Sequence, residues 1–176
     1  MKVTSGIRKG ALLAASKDLS VRPTTDKVKQ SVFNMIQFDV ADRLVLDLFA
    51  GSGAMGIEAL SRGAKHCTFV DIQPEFAIKN IEKLRFGECS QVVKSDYLTF
   101  LNRCTTPFNL VFLDPPYEKG MLDFALEALV KNKLLLPESL IVWECDTTEQ
   151  IRIPDEIRVV KERTFGRVHI RIGVFI

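Results

Sequence analysis

The chain has 176 residues, 47% of them apolar and 26% charged, and a net charge of +2. That length fits one domain able to bury about 70% of the unfolded chain's surface without a disulfide or metal staple. The composition excludes collagen-like, low-complexity and disordered classes, and no run of about 18 apolar residues marks a membrane span.

The N-terminus is basic. Residues 1–30 hold seven basic side chains against Asp18 and Asp26, whereas the rest of the chain has a net charge of −3. A basic arm on a mildly acidic body is an electrostatic footprint for phosphates. Residues 1–21 are expected to form short extended pieces joined by Gly6 and Gly10, with Arg8, Lys9, Lys17 and Arg22 as candidate nucleic-acid contacts, which the family resemblance below makes RNA contacts. Few apolar residues there promise a contribution to the core. The apolar patch Ala11–Ala15 stops at five residues. A secretory segment needs about 7–15, so a cytoplasmic protein is expected. Cys67, Cys89, Cys104 and Cys145 form no C-x-x-C pair, and with only two histidines no metal site is expected.

Arg22-Pro23-Thr24-Thr25-Asp26 reads as a helix start, because proline disfavours helical geometry at Arg22 and Thr-Thr-Asp supplies capping oxygens. Val28, Val32, Met35 and Ile36 then form one apolar helical stripe. From residue 44 short apolar runs alternate with helical stretches. The runs are Leu44–Phe49, Cys67–Asp71, Gln91–Val93, Asn109–Leu113 and Leu140–Trp143; the helices are expected near 54–62, 74–85, 97–103 and 119–132. Such alternation predicts a parallel sheet with helices on both faces. Ile157–Arg163 and Val168–Phe175, flanking Phe165-Gly166-Arg167, predict an antiparallel hairpin at the sheet edge. The expected fold is α/β, a three-layer sandwich in a single domain over 1–176.

Gly51-Ser52-Gly53-Ala54-Met55-Gly56 satisfies G-x-G-x-x-G directly after a strand, and Asp71 ends the next strand 20 residues after Gly51. The glycines permit a tight turn and close approach of a ligand, with a side chain at Gly53 expected to fill ligand space. Asp71 would accept from ribose hydroxyls. NAD fits that pattern. Asp47, at the strand end, instead favours S-adenosylmethionine, since a carboxylate suits an ammonium better than a pyrophosphate. Asp96, after the third strand, is a candidate acceptor for an adenine amino group.

The fourth strand runs into Asp114-Pro115-Pro116-Tyr117. Two prolines stiffen this loop and remove two N–H donors, leaving carbonyl and carboxylate acceptors beside an aromatic ring. That complements an exocyclic –NH₂ on a planar base. If the first and fourth strands are neighbours at the point where strand order reverses, Asp47 and Asp114 border one crevice. A base inside a stack cannot reach such a site, so the nucleotide must be flipped out or already unstacked.

These segments carry a resemblance. Val3-Thr4-Ser5-Gly6, Lys9-Gly10, Arg22–Val28, Phe33-Asn34, Leu46–Gly53, Gly56, Glu58-Ala59-Leu60 and Asp114–Tyr117 together resemble the RsmD-type family of bacterial 16S rRNA guanine-N2 methyltransferases, essentially from end to end. Gln30 and Asp71 stand where that family often has Glu. The resemblance implies a Rossmann-like class I methyltransferase fold with a seven-stranded, mostly parallel sheet. It implies S-adenosylmethionine as donor, leaving S-adenosylhomocysteine, and Asp47, Phe49, Ala50, Gly51, Gly53, Asp71, Ile72, Asp96 and Tyr97 as its binding set. Asp114, Pro115, Pro116 and Tyr117 would be catalytic. The implied partner of this monomer is 16S rRNA in an assembled or partly assembled 30S subunit. A DNA adenine-N6 methyltransferase, a nicotinamide-dependent oxidoreductase and a non-catalytic RNA-binding assembly factor are the rival readings.

Overall fold

A computed structural model describes residues 1–15, 26–116 and 120–176. Lys17, Arg22 and Tyr117, three expected site residues, lie outside the described residues. Helix α1 (Asp26–Met35) begins where the Thr-Thr-Asp run ends, and its Val28, Val32 and Phe33 are buried. Then follow β1 (Leu44–Leu48), α2 (Ala54–Ser61), β2 (His66–Asp71), α3 (Glu75–Leu84), β3 (Ser90–Lys94), α4 (Tyr97–Arg103), β4 (Phe108–Leu113) and α5 (Met121–Lys131). Three consecutive strands close the chain: β5 (Leu135–Asp146), β6 (Ile157–Phe165) and β7 (Val168–Phe175).

The strands form one seven-stranded sheet in the order β3-β2-β1-β4-β5-β7-β6. Strands β1 to β5 are parallel, and β7 pairs antiparallel with both β5 and β6. The alternating pattern thus gives the sandwich expected of it, with the hairpin at the edge. The strand β5 is longer than its central apolar run because a register irregularity between Phe108 and Leu110 lets Leu135 pair with Phe108. Two apolar clusters cover the sheet. One centres on Phe33, Ile57, Phe69 and Phe112, the other on Leu48, Leu113, Leu126 and Trp143.

The described N-terminal segment packs into this fold, where few of its residues were expected to contribute to the core. Val3 is fully buried and Leu13 nearly so. Val3 donates its N–H to the Ala11 carbonyl at 2.9 Å, closing a small loop around Gly6 and Gly10. Beneath it lies a buried ion pair, Lys29 Nζ to Glu58 Oε2 at 3.1 Å. Glu58 also accepts from the amides of Thr4 and Ser5 and the Thr4 hydroxyl, and Arg62 pairs with its other oxygen at 2.9 Å. Burial pushes the Glu58 carboxyl up, but the Thr4 donors, Lys29 and Arg62 outweigh it and hold the group below its ordinary value. The segment is basic, yet its backbone saturates a buried carboxylate. Composition did not reveal that.

Candidate active site at the switch point

Strand order reverses between β1 and β4, which pair in register with Asp47 opposite Phe112 and Leu48 opposite Leu113. In doubly wound sheets this reversal opens a crevice at the strands' carboxyl ends. The loops leaving β1 and β4 there are Phe49–Gly53 and Asp114–Pro116.

The first loop is built from three left-handed residues: Phe49 (φ 72°), Gly51 (φ 53°) and Gly53 (φ 76°). Glycine adopts this conformation freely, but for Phe49 it costs on the order of 1 kcal/mol, the kind of strain that collects at functional sites. The Val70 carbonyl offsets it by accepting from both Phe49 and Ala50 N–H at 3.0 Å. The Phe49 ring then meets Tyr97 at 5.0 Å between centroids, joining the ends of β1 and β3. Nothing in the local sequence signals the strain at Phe49.

The glycines divide the work differently from the sequence expectation. A Cβ at Gly51 would meet nothing within 4 Å, so its backbone faces open space. A Cβ at Gly53 would instead meet Ala77, Ile57 and Phe69, each at 3.3 Å. The expectation that a side chain at Gly53 fills ligand space is therefore corrected: it would crowd the protein interior. Gly56 lets α2 press onto β2, since a Cβ there would lie 2.3 Å from Phe69 and 2.5 Å from Cys67.

The three strand-end carboxylates already have partners. Asp47 is 4% exposed, and its Oδ2 accepts the Gly56 N–H at 2.8 Å, so it ties the strand to the helix following the loop. It lies under the turn rather than openly facing the crevice. Burial drives its carboxyl up to about 7; the Gly56 amide opposes this, and the charges of Asp114 and Asp71 add to it. Asp71 accepts from Gly51 N–H at 2.7 Å and Gln73 N–H at 2.8 Å through different oxygens. Asp96 caps α4, accepting from Leu98 and Thr99 N–H through Oδ1. Each carboxylate keeps lone pairs for a ligand, but each also holds a loop in shape. Next to Asp71, Ile72 is 62% exposed, an apolar surface at the mouth of the crevice.

Across the crevice Asp114 is half-buried, Pro115 buried and Pro116 exposed. The two prolines border a small pocket whose far wall is Glu144, Glu149 and Ile151. Asp114 lies close enough to Asp47 for its charge to act there. Two carboxylates and a Gly51 backbone open to a ligand's approach suit a cationic ligand, and the residues present fit S-adenosylmethionine with its ammonium and sulfonium. Among the described residues, no group of three or more His, Cys, Asp or Glu side chains could hold a metal ion. No described helix is long and apolar enough to cross a membrane, and all four cysteines are free thiols.

Asn80 was not expected in the site. It occupies the apolar stripe of α3 beside Ala77, Ile81 and Leu84, and it is fully buried. Its Oδ1 accepts from Ala14 N–H, and its Nδ2 donates to the Ala14 carbonyl (2.8 Å) and the Ser52 carbonyl (2.9 Å). One amide thus fastens the N-terminal segment to the glycine loop. An asparagine on an otherwise apolar stripe is the signal that marks it. Of the arm's basic residues, Arg8 donates through Nε to the Leu84 carbonyl at 2.9 Å and lies over the Phe86 ring, while Lys9 is exposed.

Comparison with known proteins agrees with this geometry. The protein is 38% identical to YlbH of Bacillus subtilis (strain 168), over 98% of this chain and 97% of that protein. It is 34% identical to the Ribosomal RNA small subunit methyltransferase D of Escherichia coli (strain K12), over 98% and 88% respectively. The solved structure of yhhF from Escherichia coli superposes with a TM-score of 0.91 at 34% identity, covering 99% of this chain and 97% of that one. The fold is that of class I methyltransferases. The model of the family described as Conserved hypothetical protein 95 matches residues 1–174, and the chain belongs to that family, the RsmD-type group its motifs resemble.

Proposed function

We propose that the protein transfers the methyl group of S-adenosylmethionine to the exocyclic N2 amine of one guanine of 16S rRNA in the small ribosomal subunit. The observation that carries this reading is the β1–β4 register, which sets the glycine loop beside the acceptor-only Asp114-Pro115-Pro116 loop. Its relative in Escherichia coli is named as a small-subunit rRNA methyltransferase, which supports RNA over DNA as substrate.

When bound, the cofactor supplies an electrophilic methyl carbon on a sulfonium. The chain's own residues do the rest. Asp47, Asp71 and the backbone at Gly51 would hold the donor, with Ile72, Asp96 and Tyr97 available to its adenosine. Asp114 and the Pro115 carbonyl accept from the two amine N–H bonds. A guanine amine is a weak nucleophile because its lone pair is delocalised into the ring; those two hydrogen bonds localise it and aim it at the methyl carbon. Asp114 would also accept the proton that the amine must lose when it gains the methyl group. Charge disperses in this transition state, so positioning and water exclusion are the main contributions of the site. Tyr117, next in the sequence, would be a stacking partner for the flipped base.

The test is tritiated methyl transfer onto unmethylated small subunits, followed by nucleoside analysis. N2-methylguanosine is the expected product. Label in N6-methyladenosine, or none at all with RNA binding intact, would overturn the reading in favour of an adenine enzyme or an assembly factor.

A further inference from the structure

The turn joining β6 and β7 shares a rim with the acceptor loop. Leu113 pairs with Trp143 and Trp143 with Arg171, while Asp146, farther along β5, pairs with Val168. The Phe165–Val168 turn therefore leaves the sheet at the same end as Asp114–Pro116. Two to three strand spacings separate them, about 10–15 Å.

Three side chains gather at this turn. Phe165 is half-buried, with Lys27 Nζ 6.0 Å and the Arg163 guanidinium 5.9 Å from its ring centroid. Arg163 is further held by a 3.1 Å bond from Nη1 to Ser31 Oγ, and Lys161 Nζ donates to the Met35 carbonyl at 2.6 Å. These bonds strap the hairpin to α1. Both Lys27 and Arg163 are exposed, and among the described residues neither has a carboxylate partner within 4.0 Å. The nearby acids are engaged elsewhere: Asp146 pairs with Arg167 at 3.0 Å, and Glu162 faces Arg171 and His169. Two cations without a carboxylate partner among the described residues thus sit on an aromatic platform, at the same end of the sheet as the acceptor loop. Cation–π contact restricts their motion without cancelling their charge.

We propose that Lys27 and Arg163, positioned by Phe165, form a second RNA-contact surface that grips backbone phosphates flanking the target nucleotide. This rests on the reading that the substrate is rRNA. It is separate from the arm's Arg8, which packs over α2 and α3 through Ser61 and Leu84, and from the exposed Lys9 beside it. The surface would hold the strand on the side of the acceptor loop away from the cofactor.

The experiment compares Lys27→Ala/Arg163→Ala, Lys27→Glu and Phe165→Leu with wild type. Affinity for unmethylated small subunits is read as a function of salt, alongside KM, kcat and cofactor binding. Arg158→Ala is the control for losing a surface cation away from this turn, since Arg158 is exposed and pairs with Val174 at the other end of β6, about 23 Å along the strand. The double variant should raise KM for subunits about tenfold or more, leave kcat within twofold and leave cofactor affinity unchanged. Its slope of log affinity against log salt should shrink by about 1.4–1.8, two phosphate contacts at 0.7–0.9 each. Lys27→Glu, which breaks no side-chain hydrogen bond among the described residues, should show the same KM effect if loss of the Ser31 bond unfolds the double variant. A double variant indistinguishable from Arg158→Ala overturns the proposal. So does weaker binding with an unchanged salt slope, which places a ribosomal protein under this edge. Wild-type protein that neither binds nor methylates the subunit removes the rRNA reading and this one together; the other two results remove this one alone.

Discussion

Gly51 and Gly53 stand two residues apart in one loop and do opposite jobs, and substitution separates them. Gly51→Val puts a side chain into open space at a positive φ, so cofactor affinity should fall at least tenfold while the fold survives. Gly53→Val adds crowding against Ala77, Ile57 and Phe69 to the left-handed strain and should cost about 2–4 kcal/mol of stability. Calorimetry and thermal unfolding on both variants decide it, and equal losses of affinity with equal stability would contradict the assignment. Asp114→Ala should leave cofactor binding intact and reduce kcat by on the order of 10²–10³, the usual cost of one preorganised group. Retention of more than about a third of the rate would remove Asp114 from the mechanism. Asp47 makes cofactor affinity depend on pH. Its carboxyl is raised to about 7, chiefly by burial, so below that value a proton competes with the ligand's ammonium. Affinity should rise towards pH 7, at most tenfold per unit, then fall above about 8 as an α-amine loses its proton. In the empty protein the sign is opposite: the folded chain keeps a proton that the unfolded chain loses near the ordinary value of 3.8, so this group's contribution to stability falls as pH rises from about 4 to 7. Asp47→Asn should flatten both profiles, and a wild-type affinity constant from pH 6 to 7 would exclude Asp47 as the ammonium partner.

The secondary structure was legible because each element has a clear period. Helix α4 matches its expected span, α2 is one residue shorter at its end, and α3 is one residue shorter at each end. The apolar runs gave the five parallel strands. Contacts between elements were less visible, because a side chain's partner lies tens of residues away. Asn80 illustrates this: on α3 it interrupts an apolar stripe, but only the fold shows Ala14 and Ser52 converging on its amide. Asn80→Ala would orphan the Ala14 N–H and the Ser52 carbonyl in a buried setting, at about 1–3 kcal/mol. The glycine loop would lose a fixed point at the same time. Thermal unfolding should report the first effect, and a several-fold loss of cofactor affinity the second. A variant with lowered stability but unchanged cofactor affinity would show that Ser52 does not need the clamp.

At the scale of the whole molecule, the described part of the basic arm packs into the body. Charge counting separated them because it registers Lys2, Arg8 and Lys9 but not the buried positions between them. Val3 and Leu13 enter the core, and burial of such side chains is worth about 1.5–3 kcal/mol each. The same segment covers Lys29 and Glu58, both fully buried, and supplies three of the hydrogen bonds to that carboxylate. Stripping partners from a buried charge typically costs about 3–5 kcal/mol, against a total stability of about 5–15 for a domain. Deleting residues 1–14 should therefore abolish cooperative unfolding or lower its midpoint steeply, and lost methylation would follow from lost structure. Lys9→Ala is the informative contrast, because Lys9 is exposed and its removal leaves the buried pair covered. That variant should melt like wild type and bind small subunits with a salt slope smaller by about 0.7–0.9, one phosphate contact. Thermal melts with salt-dependent binding on the two proteins separate the arm's two roles. A truncated chain melting within about 2 °C of full length would mean that Val3, Leu13 and the covered ion pair contribute less than about 1 kcal/mol together.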